Sequence, residues 1–145
     1  MSDLTHIARC PAVVTERGAS VLEVSRRIAE EKVGALAVVE GGRLVGIVSE
    51  RDVVTRVVAL GRDPAATTVD AIMTRDVRTA PVTMTPGEAI DVMHAAHIRH
   101  LPVVDATGAL VGMLSVRHLL RTRMGEIDRF NADLVNFIAA DGPGG

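Results

Sequence analysis

At 145 residues the chain is the size of one compact unit, able to bury about two-thirds of its unfolded surface. Two Phe, no Trp and no Tyr leave none of the aromatic platforms on which nucleic-acid binders stack bases. A formal charge of -2 offers phosphates no attracting field, so composition argues against a nucleic-acid partner.

In chain order, "MSDLTHIARCPAVV" carries Asp3 and His6 where a secretory leader needs a basic start and an unbroken apolar stretch. Its Cys10, the single cysteine, cannot close an intrachain disulfide. No apolar run approaches the roughly 20 residues of a membrane helix. A soluble, cytoplasmic protein without a membrane partner is expected. "SVLEVSRRIAEEKV" sets Val21, Val24, Ile28 and, less regularly, Val33 on one helical face behind a capping box from Ser20 to Glu23. "ALAVVE" and "RLVGIVS" are strand-length apolar runs around Gly41 and Gly42, and "ERDVVTRVVALG" resumes helical spacing up to Gly61. "GRDPAATTVDAIMTRD" has linker composition around a short apolar helix, Val69 to Met73. A second box runs from Thr85 to Glu88 with Pro86 at the first helical position, followed by "HLPVVD", "ALVGMLS" and "VRHLLRTRM". Beyond Met124, Ile127, Phe130, Leu134 and Ile138 form a stripe that either packs on its own domain or joins two chains. "DGPGG" is a loose end.

The chain repeats itself. Glu23, Leu36, Val38 and Val39 recur 65 residues on as Glu88, Leu101, Val103 and Val104; after one inserted residue, Gly42, Leu44, Val45, Gly46, Ser49 and Arg51 recur as Gly108, Leu110, Val111, Gly112, Ser115 and Arg117. The slip falls in a hairpin turn, where insertions are tolerated. Each copy reads strand, helix, strand, strand, helix. The predicted class is α/β (α+β): residues 1–68 hold the N-terminal segment and first repeat, 69–124 the second repeat, and 125–145 a C-terminal helix and tail.

A strand that ends at Gly46 and enters a helix through Ser49 directs backbone N–H groups and the positive end of a dipole at one spot, where a phosphate fits. Ser49 and Asp52 also satisfy a plain capping box, and the residues alone leave both readings open. In the second copy "GMLSVRHLL" repeats "GIVSERDVV", with His118 where the first has Asp52.

With "GALAVVEGGRLVGIVSERDVV", "IMTRDV" and "RHLPVVDATGALVGMLSVRHLL" in these places, the chain resembles the CBS domain family, as a tandem pair forming a Bateman module over roughly Ala12 to Met124. It is similar to the small stand-alone bacterial members. The resemblance implies a pseudo-twofold pair, a homodimer, and a regulatory module that senses adenosine-containing molecules: AMP first, with ATP or NAD as alternatives. In such modules a "G-h-x-S-x-x-D" aspartate accepts the ribose hydroxyls, which gives Ser49 and Asp52 that role. Each cleft combines one copy's turn with the other copy's first strand and the residues before its second strand. Asp52 would then face Val77, Arg78, Thr79 and Ala80 with Ile98, Arg99 and His100. Val77 and Ile98 would pack on adenine, and Arg99 and His100, with Arg51 and Arg78 behind them, would neutralise phosphate. The other cleft would set His118 against Gly34 and Ala35, lacking carboxylate and cations together, so one competent cleft per chain is expected.

The alternatives are narrower. His94, His97 and His100 have no acidic or thiolate partner in sequence, which argues against a metal. Arg117, His118, Arg121 and Arg123 form a local basic patch read as a solvated face. No nucleophile, base and acid fall into a catalytic arrangement, so the expected protein is not an enzyme and has no catalytic cofactor. It would act through an unidentified effector protein. The competing expectation is a protein-interaction and dimerisation module that binds no ligand.

Overall fold

The computed structural model describes residues 3–123 and 134–139. Packing gathers Ala12–Arg78 into a first unit and the described residues on either side of that stretch into a second. Residues 3–11 thus pack with the second repeat, and 69–78 with the first.

The first unit runs β1 (Val14–Glu16), α1 (Val21–Glu31), β2 (Ala35–Glu40), β3 (Arg43–Ser49) and α2 (Glu50–Val53). β1 lies parallel to β2 and β3 antiparallel to it, with a register shift between Val38 and Val39. Ser20 Oγ accepts from the Glu23 amide at 3.1 Å and starts α1. Val21 and Val24 face a core of Leu36, Val38, Val48, Val57, Val69 and Ile72. The helical spacing after Asp52 is only partly realised: Val54–Val58 form a π turn, closed by the Ala59 amide on the Val54 carbonyl at 2.8 Å. The widened turn carries Val57 into the core and leaves Val54 and Val58 outside.

The second unit repeats the plan with β4 (Ala80–Pro81), α3 (Pro86–Ala96), β5 (His100–Val104), β6 (Leu110–Ser115) and α4 (Val116–Arg123). Thr85 and Glu88 make a full capping box at α3. The register shift recurs between Val103 and Val104. α1 and α3 end alike, on Lys32 at φ 56° and His97 at φ 55°. In each, the next amide reaches back, Val33 to Ile28 at 3.3 Å and Ile98 to Met93 at 3.0 Å, closing the last turn without glycine. Leu134, Phe137 and Ile138 lie on the second unit's own core side: Leu134 is buried, and the other two pack against its apolar cluster. The stripe's other members, Ile127 and Phe130, lie outside the described residues.

Two short segments complete the sheets. In the first unit, a 3-10 turn at Val69–Ala71 leads to Thr74, which exchanges hydrogen bonds with Ile47 at 2.9 and 3.0 Å. In the second, a 3-10 turn at Leu4–His6 leads to Arg9, which does the same with Met113 at 3.0 and 2.9 Å. Leu4 is fully buried and its amide bonds Val82, tying residues 3–11 to the second unit. Both segments cross a glycine: a Cβ on Gly46 would lie 3.0 Å from the Thr74 carbonyl oxygen, and one on Gly112 would lie 2.8 Å from that of Arg9. The stretch of linker composition is therefore edge structure laid on β3.

Candidate functional site: two copies of one turn

In the first unit, β3 delivers Ser49 in an extended conformation at the entry to α2. The Ser49 amide donates to Asp52 Oδ2 at 2.9 Å, and the Asp52 amide donates to Ser49 Oγ at 3.2 Å. The capping reading is thus realised in full. The Glu50 amide is also engaged, on the Gly34 carbonyl at 3.0 Å. The expected sheaf of open N–H groups at this helix start is mostly consumed inside the fold, which weakens the phosphate reading of the turn itself.

What the cap leaves over is Asp52 Oδ1. Its described contact is Arg56 Nε at 3.8 Å, too long for a strong hydrogen bond, and the Asp52 side chain is only 14% exposed. Arg56 is anchored elsewhere, donating from Nη1 to the Ile72 carbonyl at 2.7 Å. The carboxylate is therefore held at a fixed angle with acceptor capacity remaining on one oxygen. Arg51 and Arg78 are exposed and Val77 is half-buried in the same unit.

Thr79, Ala80, Ile98, Arg99 and His100 belong to the second unit. Thr79 is exposed; Ala80 is fully buried and pairs with Val103, while Ile98 packs against the core, so both serve as structure in their own unit. Arg99 stands where the first copy has Gly34: its carbonyl accepts from the Val116 amide at 3.0 Å, as Gly34 does from Glu50. His100 pairs with Ser115 across the hairpin. Burial, then His118, Arg99 and Arg117, push its imidazole down to about 4 from the usual 6.5. At neutral pH it is uncharged, contrary to the expectation of a phosphate cation at this position. His94 and His97, spaced suggestively in sequence, go separate ways: His94 meets Phe137 edge-on, centroids 5.2 Å apart, and His97 ends α3.

The second copy of the turn holds what sequence reasoning missed. The Ser115 amide donates to His118 Nδ1 at 3.0 Å, and the His118 amide donates to Ser115 Oγ at 3.2 Å. The imidazole does the capping work of the carboxylate, atom for atom. The signal was present as Ser, two residues, then His, but the capping pattern names only carboxylates and amides in the last place.

The family model of the CBS domain matches residues 3–59 and again 69–125. A CBS domain-containing protein of Arabidopsis thaliana, CBSCBSPB5, is 34% identical over 100 residues, covering 69% of this chain; the chain spans only 18% of that relative's length. Among solved structures, the CBS domain NE2398 is 30% identical at a TM-score of 0.78, covering 83% of this chain and 93% of that one. The CBS domain pair of protein MJ0100, solved with 5′-methylthioadenosine and S-adenosyl-L-methionine, superposes at a TM-score of 0.79 over 88% of this chain and 99% of that one, at 24% identity, a likeness of fold. Two family matches, on two repeats with one topology, have a single meaning: the chain belongs to the CBS domain family and carries the domain as a tandem pair.

Proposed function

We propose that the chain is a non-catalytic regulatory module that binds one adenosine-containing ligand through Asp52, with AMP the first candidate and ATP or NAD next. The observation that carries the reading is the Asp52 carboxylate: it is fixed by its own cap, mostly shielded from water, and has one oxygen with capacity for the hydroxyls of a ribose. Arg99 is the first candidate for the phosphate charge in this reading, and Arg51 and Arg78 are the next. The second turn offers a neutral imidazole in place of the carboxylate, which favours one site per chain. The module would work as a cytoplasmic homodimer and pass its state to an effector protein. Ligand can do so only to the extent that it binds two arrangements of the module unequally.

A second reading has its own support. Val54, Val58 and Leu60 are 57, 66 and 68% exposed just beyond Asp52, an apolar surface suited to a protein partner. Calorimetric titration with AMP, then ATP and NAD, separates the two. One ligand per chain, lost in Asp52→Asn at unchanged melting temperature, supports the sensor, because Asn keeps an acceptor for the Ser49 amide. Two ligands per chain overturn the single site. No heat with any of the three leaves the interaction module.

A further inference from the structure

We propose that the Ser115–His118 turn is a proton-operated helix cap, closed at neutral pH and opened by acid, whereas the matching Ser49–Asp52 turn stays closed. The inference is independent of any ligand. It starts from the 3.0 Å bond in which the Ser115 amide donates to His118 Nδ1. A ring nitrogen that accepts carries no proton, so the neutral imidazole must keep its hydrogen on Nε2. Protonation places N–H on both nitrogens and sets donor against donor. A carboxyl group keeps an acceptor oxygen whether or not it is protonated, so Asp52 in the same position can hold the Ser49 amide in either form.

The surroundings set the direction. Arg9 from the N-terminal segment, Arg121 on α4 and His100 at the start of β5 act on His118 electrostatically, and α3, which packs against α4, carries Glu88, Asp91 and His94. Burial first, then Arg121 and Arg9, disfavour the imidazolium, so opening falls below the ordinary histidine range. The cap governs the entry to α4, whose Val116 and Leu119 are buried in the core. Acid therefore loosens the start of one repeat's last helix and leaves that of the other intact.

Ring-nitrogen NMR of the full chain identifies the protonated nitrogen, and amide hydrogen exchange, corrected for intrinsic rates, reads the cap from about pH 8 down to about pH 4, through and below the range in which histidines ordinarily titrate. Expected are a proton on Nε2 and a loss of Ser115 protection of about fivefold as His118 titrates, the equivalent of about 1 kcal/mol for one cap. Ser49 protection should stay constant, and His118→Asp should abolish the Ser115 response. His118→Asn, which also keeps an acceptor, serves if the aspartate variant does not fold. A proton on Nδ1, Ser115 protection indifferent to the titration, or a response that persists in the variants overturns the proposal.

Discussion

Replacing Gly112 by Ala tests how tightly residues 3–11 are built into the second unit. The added Cβ would sit 2.5 Å from Cys10 Sγ and 2.8 Å from the Arg9 carbonyl oxygen. The thiol can rotate away; the carbonyl cannot, because it accepts from the Met113 amide at 2.9 Å. Reaching the 3.4 Å of ordinary contact requires 3.4 minus 2.8, or about 0.6 Å, of backbone movement, which is the margin between a good hydrogen bond and none. Overpacking and one weakened buried bond together cost about 2–4 kcal/mol. For a chain of this length that lowers the melting temperature by about 5–15 °C. Gly46→Ala should cost less, about 1–2 kcal/mol, because its tightest neighbour is the flexible Met73 Sδ at 2.7 Å and its backbone neighbour stands at 3.0 Å. Gly87→Ala, with nothing within 4 Å, is the control. Urea and thermal unfolding followed by circular dichroism read all three. If Gly112→Ala melts with the wild type, or if Gly46→Ala is the more damaging, the account of the crossing is wrong.

Three further outcomes follow from the same contacts. His100, folded at about 4 against 6.5 unfolded, contributes stability that is complete above about pH 6.5 and lost as the pH falls towards 4, about 2 kcal/mol of it by pH 5. Urea midpoints at the two pH values should show that fall, and His100→Asn should remove most of it; an unchanged fall contradicts the assignment. Leu134→Ala should cost about 2–4 kcal/mol while the oligomeric state seen by light scattering is unchanged, since Leu134 is 2% exposed within a single chain. A variant that melts normally but dissociates would make the stripe a subunit contact instead. Ser49→Ala should cost about 1 kcal/mol in unfolding experiments by removing the cap at α2.

Much of this architecture is legible in the sequence because the repeat is strict where backbone geometry is strict. The 65-residue offset places Leu36 and Val38 on Leu101 and Val103, and the inserted residue falls in the hairpin turn, so the strands, their pairing and the class of fold follow. Thr85 and Ser49 announce their helices by side chain alone. Residues 3–11 do not announce their place: Leu4, Arg9 and Cys10 show neither period, and only the closed approach to Gly112 fixes where they lie. Asp52 stands in a pattern that serves capping and ribose binding alike, and the structure realises the first in full. His100 reads as a cation on paper and loses its charge through burial, which no spacing encodes. Within the cap, the exchange of Asp52 for His118 is a change of acceptor, which the capping pattern does not name.

The two units differ in when they can form during synthesis. Residues 12–78 are one continuous stretch and can close as soon as they leave the ribosome. Residues 3–11 emerge before them, yet their partner strand β6 follows only after about a hundred further residues have been added. At the usual elongation rate the buried Leu4 must stay exposed for roughly 5–20 s with its eventual neighbours not yet made. The first repeat can thus finish while the second waits with one of its edges already in hand.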